Sequence, residues 1–131
     1  MNKAAGTFEV KINPLAAYNT SADAKVARMS IDKEFHGGLE ATSKGEMLTA
    51  GTDTKGSAGY VAIERVTGIL NERRGDFVLQ HNATMTRGEP YLNIIVVPDS
   101  GTDELIGLSG TMHIAIEKGR HSYEFQYRLP D

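Results

Sequence analysis

Glu64 and His81 are the residues whose type and setting suit them to move a proton or to grip a ligand. His81 stands in a run where Phe77, Leu79, His81, Ala83 and Met85 fall on one face of a strand, so it is a lone titratable ring in apolar company. Such a ring is either a core histidine satisfied by a backbone carbonyl, or a general base or hydrogen-bond donor toward a bound molecule. Glu64 shares its face with Tyr60, Ala62, Val66 and Gly68. If that face points inward, desolvation raises the carboxyl pKa and makes it a proton carrier, or an arginine pairs with it. If Val61, Ile63 and Ile69 form the inward set instead, Glu64 lies at the surface; Glu40 carries the same ambiguity. Tyr123 shares a face with His121, Phe125, Tyr127 and Leu129, a wall that serves as core or as ligand lining, and each buried hydroxyl there needs a partner. Given an open lumen, the expected site is Glu64 and His81 facing it as a pair, with Tyr60 and Tyr123 nearby.

Other chemistries lack their signatures. No Walker loop or strand–GxGxxG–helix unit occurs, and Gly56-Ser57-Ala58-Gly59 precedes a strand rather than a helix, so nucleotide binding is not expected. The four histidines, His36, His81, His113 and His121, never fall at His-x-His or His-x-x-x-His spacing. With no cysteine in the chain, thiolate metal sites and thiol catalysis are excluded, and no metal or other cofactor is expected. Gly-x-Ser-x-Gly is absent too. Arg74-Gly75-Asp76 reads as hairpin chemistry in which Gly75 supplies a positive φ. Net charge is −3 and the basic residues are dispersed, so nucleic acid is not an expected partner. Apolar runs such as residues 92–98 fall far short of the roughly 20 residues that span a bilayer, and no basic-then-apolar leader follows Met1. A cytoplasmic location without membrane attachment is the expectation.

The elements that must position these residues are strands. At 131 residues the chain is read as one domain, 1–131. Alternation of apolar and polar residues marks strands at 7–13, 27–36, 39–50, 60–68, 76–86, 91–97, 107–117 and 121–129. Residues 14–25 form the longest connection, Gly37-Gly38 a turn, and 71–75 a charged loop. Gly45, inside a strand, is expected at a bulge or tight bend. Eight strands in meander order predict an all-β fold: a closed, up-and-down antiparallel barrel, because an open sheet leaves two unprotected edges. At most one short helical turn is expected, within 14–25 or 98–104.

Several segments resemble one family: Gly6-Thr7-Phe8-Glu9-Val10, Phe35-His36-Gly37-Gly38-Leu39-Glu40, Gly56-Ser57-Ala58-Gly59-Tyr60, residues 63–68 (IERVTG), residues 75–81 (GDFVLQH), residues 97–102 (VPDSGT) and Leu108-Ser109-Gly110. Together they are similar to the DUF3224 family, small bacterial proteins of unknown function, across nearly the whole chain. The resemblance implies a barrel of the allene oxide cyclase type and supplies no catalytic residues. Related barrels, those of allene oxide cyclases and spirotetronate cyclases, fold an apolar substrate without a cofactor, which is a likeness of fold alone. The leading expectation is a barrel that holds a small apolar or amphipathic molecule in its lumen. Two alternatives stand beside it: a cofactor-independent isomerase or cyclase using Glu64 or His81, and an interaction protein with a filled core. Apolar residues on both faces of 60–69 and 92–97 point to a homodimer.

Overall fold

The alternating runs form eight strands in a computed structural model that describes residues 1–130. In chain order these are β1 (Asn2–Leu15), β2 (Val26–Gly37), β3 (Leu39–Gly51), β4 (Ala58–Leu70), β5 (Arg73–Thr86), β6 (Glu89–Val96), β7 (Ser109–Glu117) and β8 (Arg120–Arg128). Each strand pairs antiparallel with its sequence neighbours, and β8 returns to β1 through registers such as Gly6↔Tyr123, closing the barrel. Three hairpins use two-residue turns with both φ values positive: Asn71-Glu72 (43° and 75°), Arg87-Gly88 (46° and 92°) and Lys118-Gly119 (50° and 78°). That is the turn whose twist matches the strands it joins. The expected loop at 71–75 thus shrinks to two residues, and Asn71 is held there by donating from Nδ2 to the Lys3 carbonyl and the Tyr127 hydroxyl. The single helical turn is a 3-10 turn at Asp103–Leu105, and residues 14–25 contain no helix. Among the described residues no helix is long and apolar enough to cross a membrane.

Two glycines depart from expectation. Gly45 lies in an unbroken register, opposite Ile31 on β2 and Glu64 on β4, so there is no bulge. A Cβ at Gly45 would run into the Ile63 carbonyl and the Glu64 side chain, so the missing side chain is room for Glu64. Gly75 sits within β5 without a positive φ, and a Cβ there would meet the Thr102 carbonyl and Leu105. Its smallness lets the 98–105 connection lie against β5.

That connection does a strand's job. β6 ends at Val96 while β5 continues down to Arg73, which leaves the lower part of β5 without a neighbour on that side. Alternate side chains of the connection supply the missing acceptors. The amides of Val78, Asp76 and Arg74 donate to Ser100 Oγ (3.0 Å), Thr102 Oγ1 (3.0 Å) and Glu104 Oε1 (2.9 Å). Leu105, fully buried, plugs the end beneath them.

The barrel is therefore filled below and open above, where "below" is the end with the chain termini and the Asn71-Glu72 turn. In the lower half Phe35, Leu39, Leu70, Phe77, Leu79 and Phe125 are buried, with Phe77 and Phe125 stacked at 5.7 Å. In the upper half residues in the same inward phase are uncovered: Ile12 is 49%, Met85 43%, Leu92 41% and Ile116 64% exposed. Strand pairing changes at the same level. β6 meets β7 at one register position, Ile95↔Thr111, and the β1–β8 register stops at Phe8↔His121. The upper part of the β7–β8 hairpin stands away from both neighbours.

Thr102→Val removes the acceptor for the Asp76 amide while keeping the side chain's shape, and should lower unfolding free energy by about 1 kcal/mol in urea titrations. Thr102→Ser, which restores the hydroxyl, should recover most of that loss.

Candidate functional site

The inward face of β4 carries Ala62, Glu64 and Val66, all buried, while Val61 and Ile63 are each 50% exposed on the outer wall. The alternative reading, with the aliphatic residues inside, is thus reversed: an acid is buried and two β-branched residues face outward. Glu64 is fully buried, and its two oxygens divide between three donors. Oε1 accepts from Ser43 Oγ at 2.7 Å; Oε2 accepts from Lys33 Nζ at 2.8 Å and from His81 Nε2 at 2.5 Å. Register explains the meeting of Glu64 with His81: Ala62 pairs with His81 and Glu64 with Leu79, so the two side chains are diagonal neighbours on adjacent strands.

The acidity of Glu64 runs opposite to the sequence expectation. Burial pushes its pKa up from 4.5, but the His81 hydrogen bond, the Lys33 charge and the charge of the His81 ring when it is protonated outweigh that and hold it down at about 2. Glu64 is an ionised anchor rather than a proton carrier near neutral pH. Lys33, itself buried, also lies over the rings of Phe8 (5.1 Å to the centroid) and Phe35 (5.7 Å).

An ionised carboxylate only accepts, so the hydrogen between Glu64 and His81 sits on Nε2. In the neutral ring Nδ1 then has a free lone pair, and Tyr60 OH, 3.2 Å away, donates to it. Burial, then the negative charge of Glu64, pushes the Tyr60 pKa up, which keeps it a phenol. With the ring neutral the result is a directed chain, Tyr60 to His81 to Glu64, with Lys33 and Ser43 closing the far end. Among the described residues no buried side-chain nitrogen or oxygen lacks a partner.

Tyr60 is the outermost member of this chain and is half-buried. It forms part of the wall of a groove of about 500 Å³ that crosses the upper rim, between inward-phase Ala27, Thr49 and Ala83, outer-wall Leu48 and Val61, and Tyr18 of the β1–β2 connection. Tyr123 is not part of this arrangement. Its hydroxyl accepts the Leu39 amide hydrogen (2.9 Å) and donates to the His36 carbonyl (2.9 Å), which pins the Gly37-Gly38 turn at the lower end. Glu40 lies on the outer wall and accepts the Gly37 amide. Sequence reasoning missed Lys33 and Ser43, although each carries a readable signal. Lys33 is in phase with Ile31 and Phe35, and Ser43 with Leu39 and Ala41, so each is a polar residue on an apolar face.

The profile described as "Protein of unknown function (DUF3224)" matches residues 4–127. A solved crystal structure of a protein of unknown function from that family, from Shewanella oneidensis MR-1, is 53% identical. It superposes with a TM-score of 0.95, over 100% of this chain and 98% of the other. No curated protein matches the chain.

Because the folded pKa of Glu64 lies below its ordinary value of 4.5, its contribution to stability is complete above pH 4.5 and is lost as pH falls toward 2. Thermal midpoints should drop across that window by the equivalent of about 3 kcal/mol, and Glu64→Gln should flatten the profile there. Lys33→Met alone leaves an unpaired buried carboxylate and should cost roughly 3–5 kcal/mol in denaturant titrations, much of it recovered by adding Glu64→Gln.

Proposed function

We propose that this chain, which belongs to the DUF3224 family, holds a small apolar or amphipathic molecule in the upper half of its barrel. One observation carries the reading: inward-phase apolar residues, Ile12, Met85, Leu92 and Ile116, are left uncovered above a polar chain that surfaces at Tyr60. A barrel built only for packing would cover them, as the lower half does with Phe35, Phe77 and Phe125. An apolar body resting on these side chains removes them from water, and Tyr60 offers the polar contact that orients it. Catalysis by Glu64 is the weaker reading, because a carboxyl held at about 2 neither gives nor takes a proton near neutrality.

A separate observation favours self-association. On the outer wall, Leu48 and Val61 are paired across β3 and β4, and with Ile63 they make a patch of half-exposed aliphatic residues. A second copy is the partner proposed for it, in keeping with the frequency of twofold dimers.

Titration with decan-1-ol, followed by amide and methyl NMR shifts, should give saturable one-to-one binding with shifts at Ala83, Met85 and Leu92. Leu92→Glu should weaken that binding about tenfold by putting a charge against the tail. Shifts that grow without saturation, or that fall on the outer wall instead, would overturn the reading. For the dimer, sedimentation should show a species of twice 14.2 kDa that Val61→Lys converts to monomer.

A further inference from the structure

We infer that the molecule seated above Tyr60 is an apolar-tailed monocarboxylate, and that seating its headgroup places one added proton on His81. This rests on the binding reading above and specifies its ligand. The buried cluster holds one acid, Glu64, and two bases, Lys33 and His81. Lys33 and Glu64 cancel, since the ammonium is 2.8 Å from the carboxylate and both side chains are buried. His81 is left as the remaining base, and its ring has one position at which a proton can be added. Nε2 is already committed to Glu64, so an added proton goes to Nδ1.

The proton on Nδ1 reverses the outer hydrogen bond. With His81 neutral, Tyr60 donates inward and its oxygen turns lone pairs toward the groove, an arrangement that suits an alcohol and repels a carboxylate. With His81 protonated, Nδ1–H donates to the Tyr60 oxygen, and the phenol hydrogen must turn outward, where it meets a carboxylate oxygen as a donor. The proton comes from solvent, no covalent bond in the ligand changes, and the cluster's single positive charge is matched by one negative headgroup. An uncompensated charge in such a site is costly, so proton and anion arrive together.

No other titratable group facing the lumen takes this role, and Thr49, opposite Tyr60 on β3, adds only a neutral hydroxyl to the groove. β4 contributes Tyr60 and Glu64, β2 contributes Lys33, and β8 contributes Tyr123 and His121. Tyr123 is committed to backbone at the lower end, and His121 packs against Phe8 at 5.1 Å. β6 and β7 present inward only apolar residues, Leu92, Ile94 and Val96 on one and Met112 and Ile114 on the other, beside Gly110. Glu64 is the one inward acid, which leaves a bound anion without a like-charged neighbour except one already neutralised.

The test is calorimetry with decanoate, below its micellar concentration, and with decan-1-ol, each in two neutral buffers of different ionisation enthalpy. Decanoate should take up close to one proton per site and decanol none. Tyr60→Phe, a change at a half-exposed position, should weaken decanoate about tenfold while leaving decanol within about twofold. His81→Gln should abolish the buffer dependence. Decanol binding as tightly as decanoate, or decanoate binding with no buffer dependence, overturns the ligand assignment and leaves the apolar-binding reading standing. Failure of both probes to bind overturns that reading and the assignment together.

Discussion

A carboxylate in the middle of a barrel needs hydrogen-bond donors and a counter-charge or it cannot stay charged, and the upper half of this molecule is arranged around that requirement. Glu64 is reached by three donors from three other strands: Ser43 on β3, Lys33 on β2 and His81 on β5. Gly45, directly across from Glu64, has no side chain to obstruct it. Each partner then imposes something further. Lys33 needs the faces of Phe8 and Phe35, while His81, its Nε2 committed, turns Nδ1 to Tyr60. Removing the acid would leave two buried bases with no counter-charge, and removing Lys33 would leave the acid without one.

The cluster also marks the level at which the barrel changes character. Below it, aromatic and aliphatic side chains fill the interior, and the 98–105 connection completes the wall where β6 has ended. Above it, the same inward phase is kept but the packing is not, and strand pairing fails on both sides of the β7–β8 hairpin. The lower half makes the structure cohere. It frees the upper half from that duty, which is where stability and binding usually conflict.

Much of this is legible in the sequence because alternation with period two is a local signal. Eight such runs separated by short turns specify the strands, and their meander order makes β4 and β5 neighbours, so Glu64 and His81 are brought within reach before any coordinates are known. Alternation does not say which face is inward. On β4 a hydrophobicity argument chooses Val61 and Ile63 over Glu64, and it fails because those two belong to the outer wall. The acidity of Glu64 is likewise out of reach of local reasoning: desolvation is visible from its neighbours, but the lysine that opposes it lies 31 residues away in the chain. Gly45 and Gly75 mislead for a related reason. Each is read as a turn or bulge residue from its type, yet each is small because a different strand or loop presses against it.

Closure in topology is not closure in backbone bonding. Because β1 leaves β8 above Phe8, and β6 leaves β7 above Ile95, the barrel retains edges that a fully zipped barrel abolishes. Edges of this kind are templates on which another chain can add a strand, and the composition along them is what deters it. Pro14 on β1 and Pro90 on β6 each delete a backbone donor, and Lys11, Lys118 and Arg120 put charge beside the gaps. The gaps on either side of the β7–β8 hairpin are in this way kept from becoming an adhesive surface for a polypeptide.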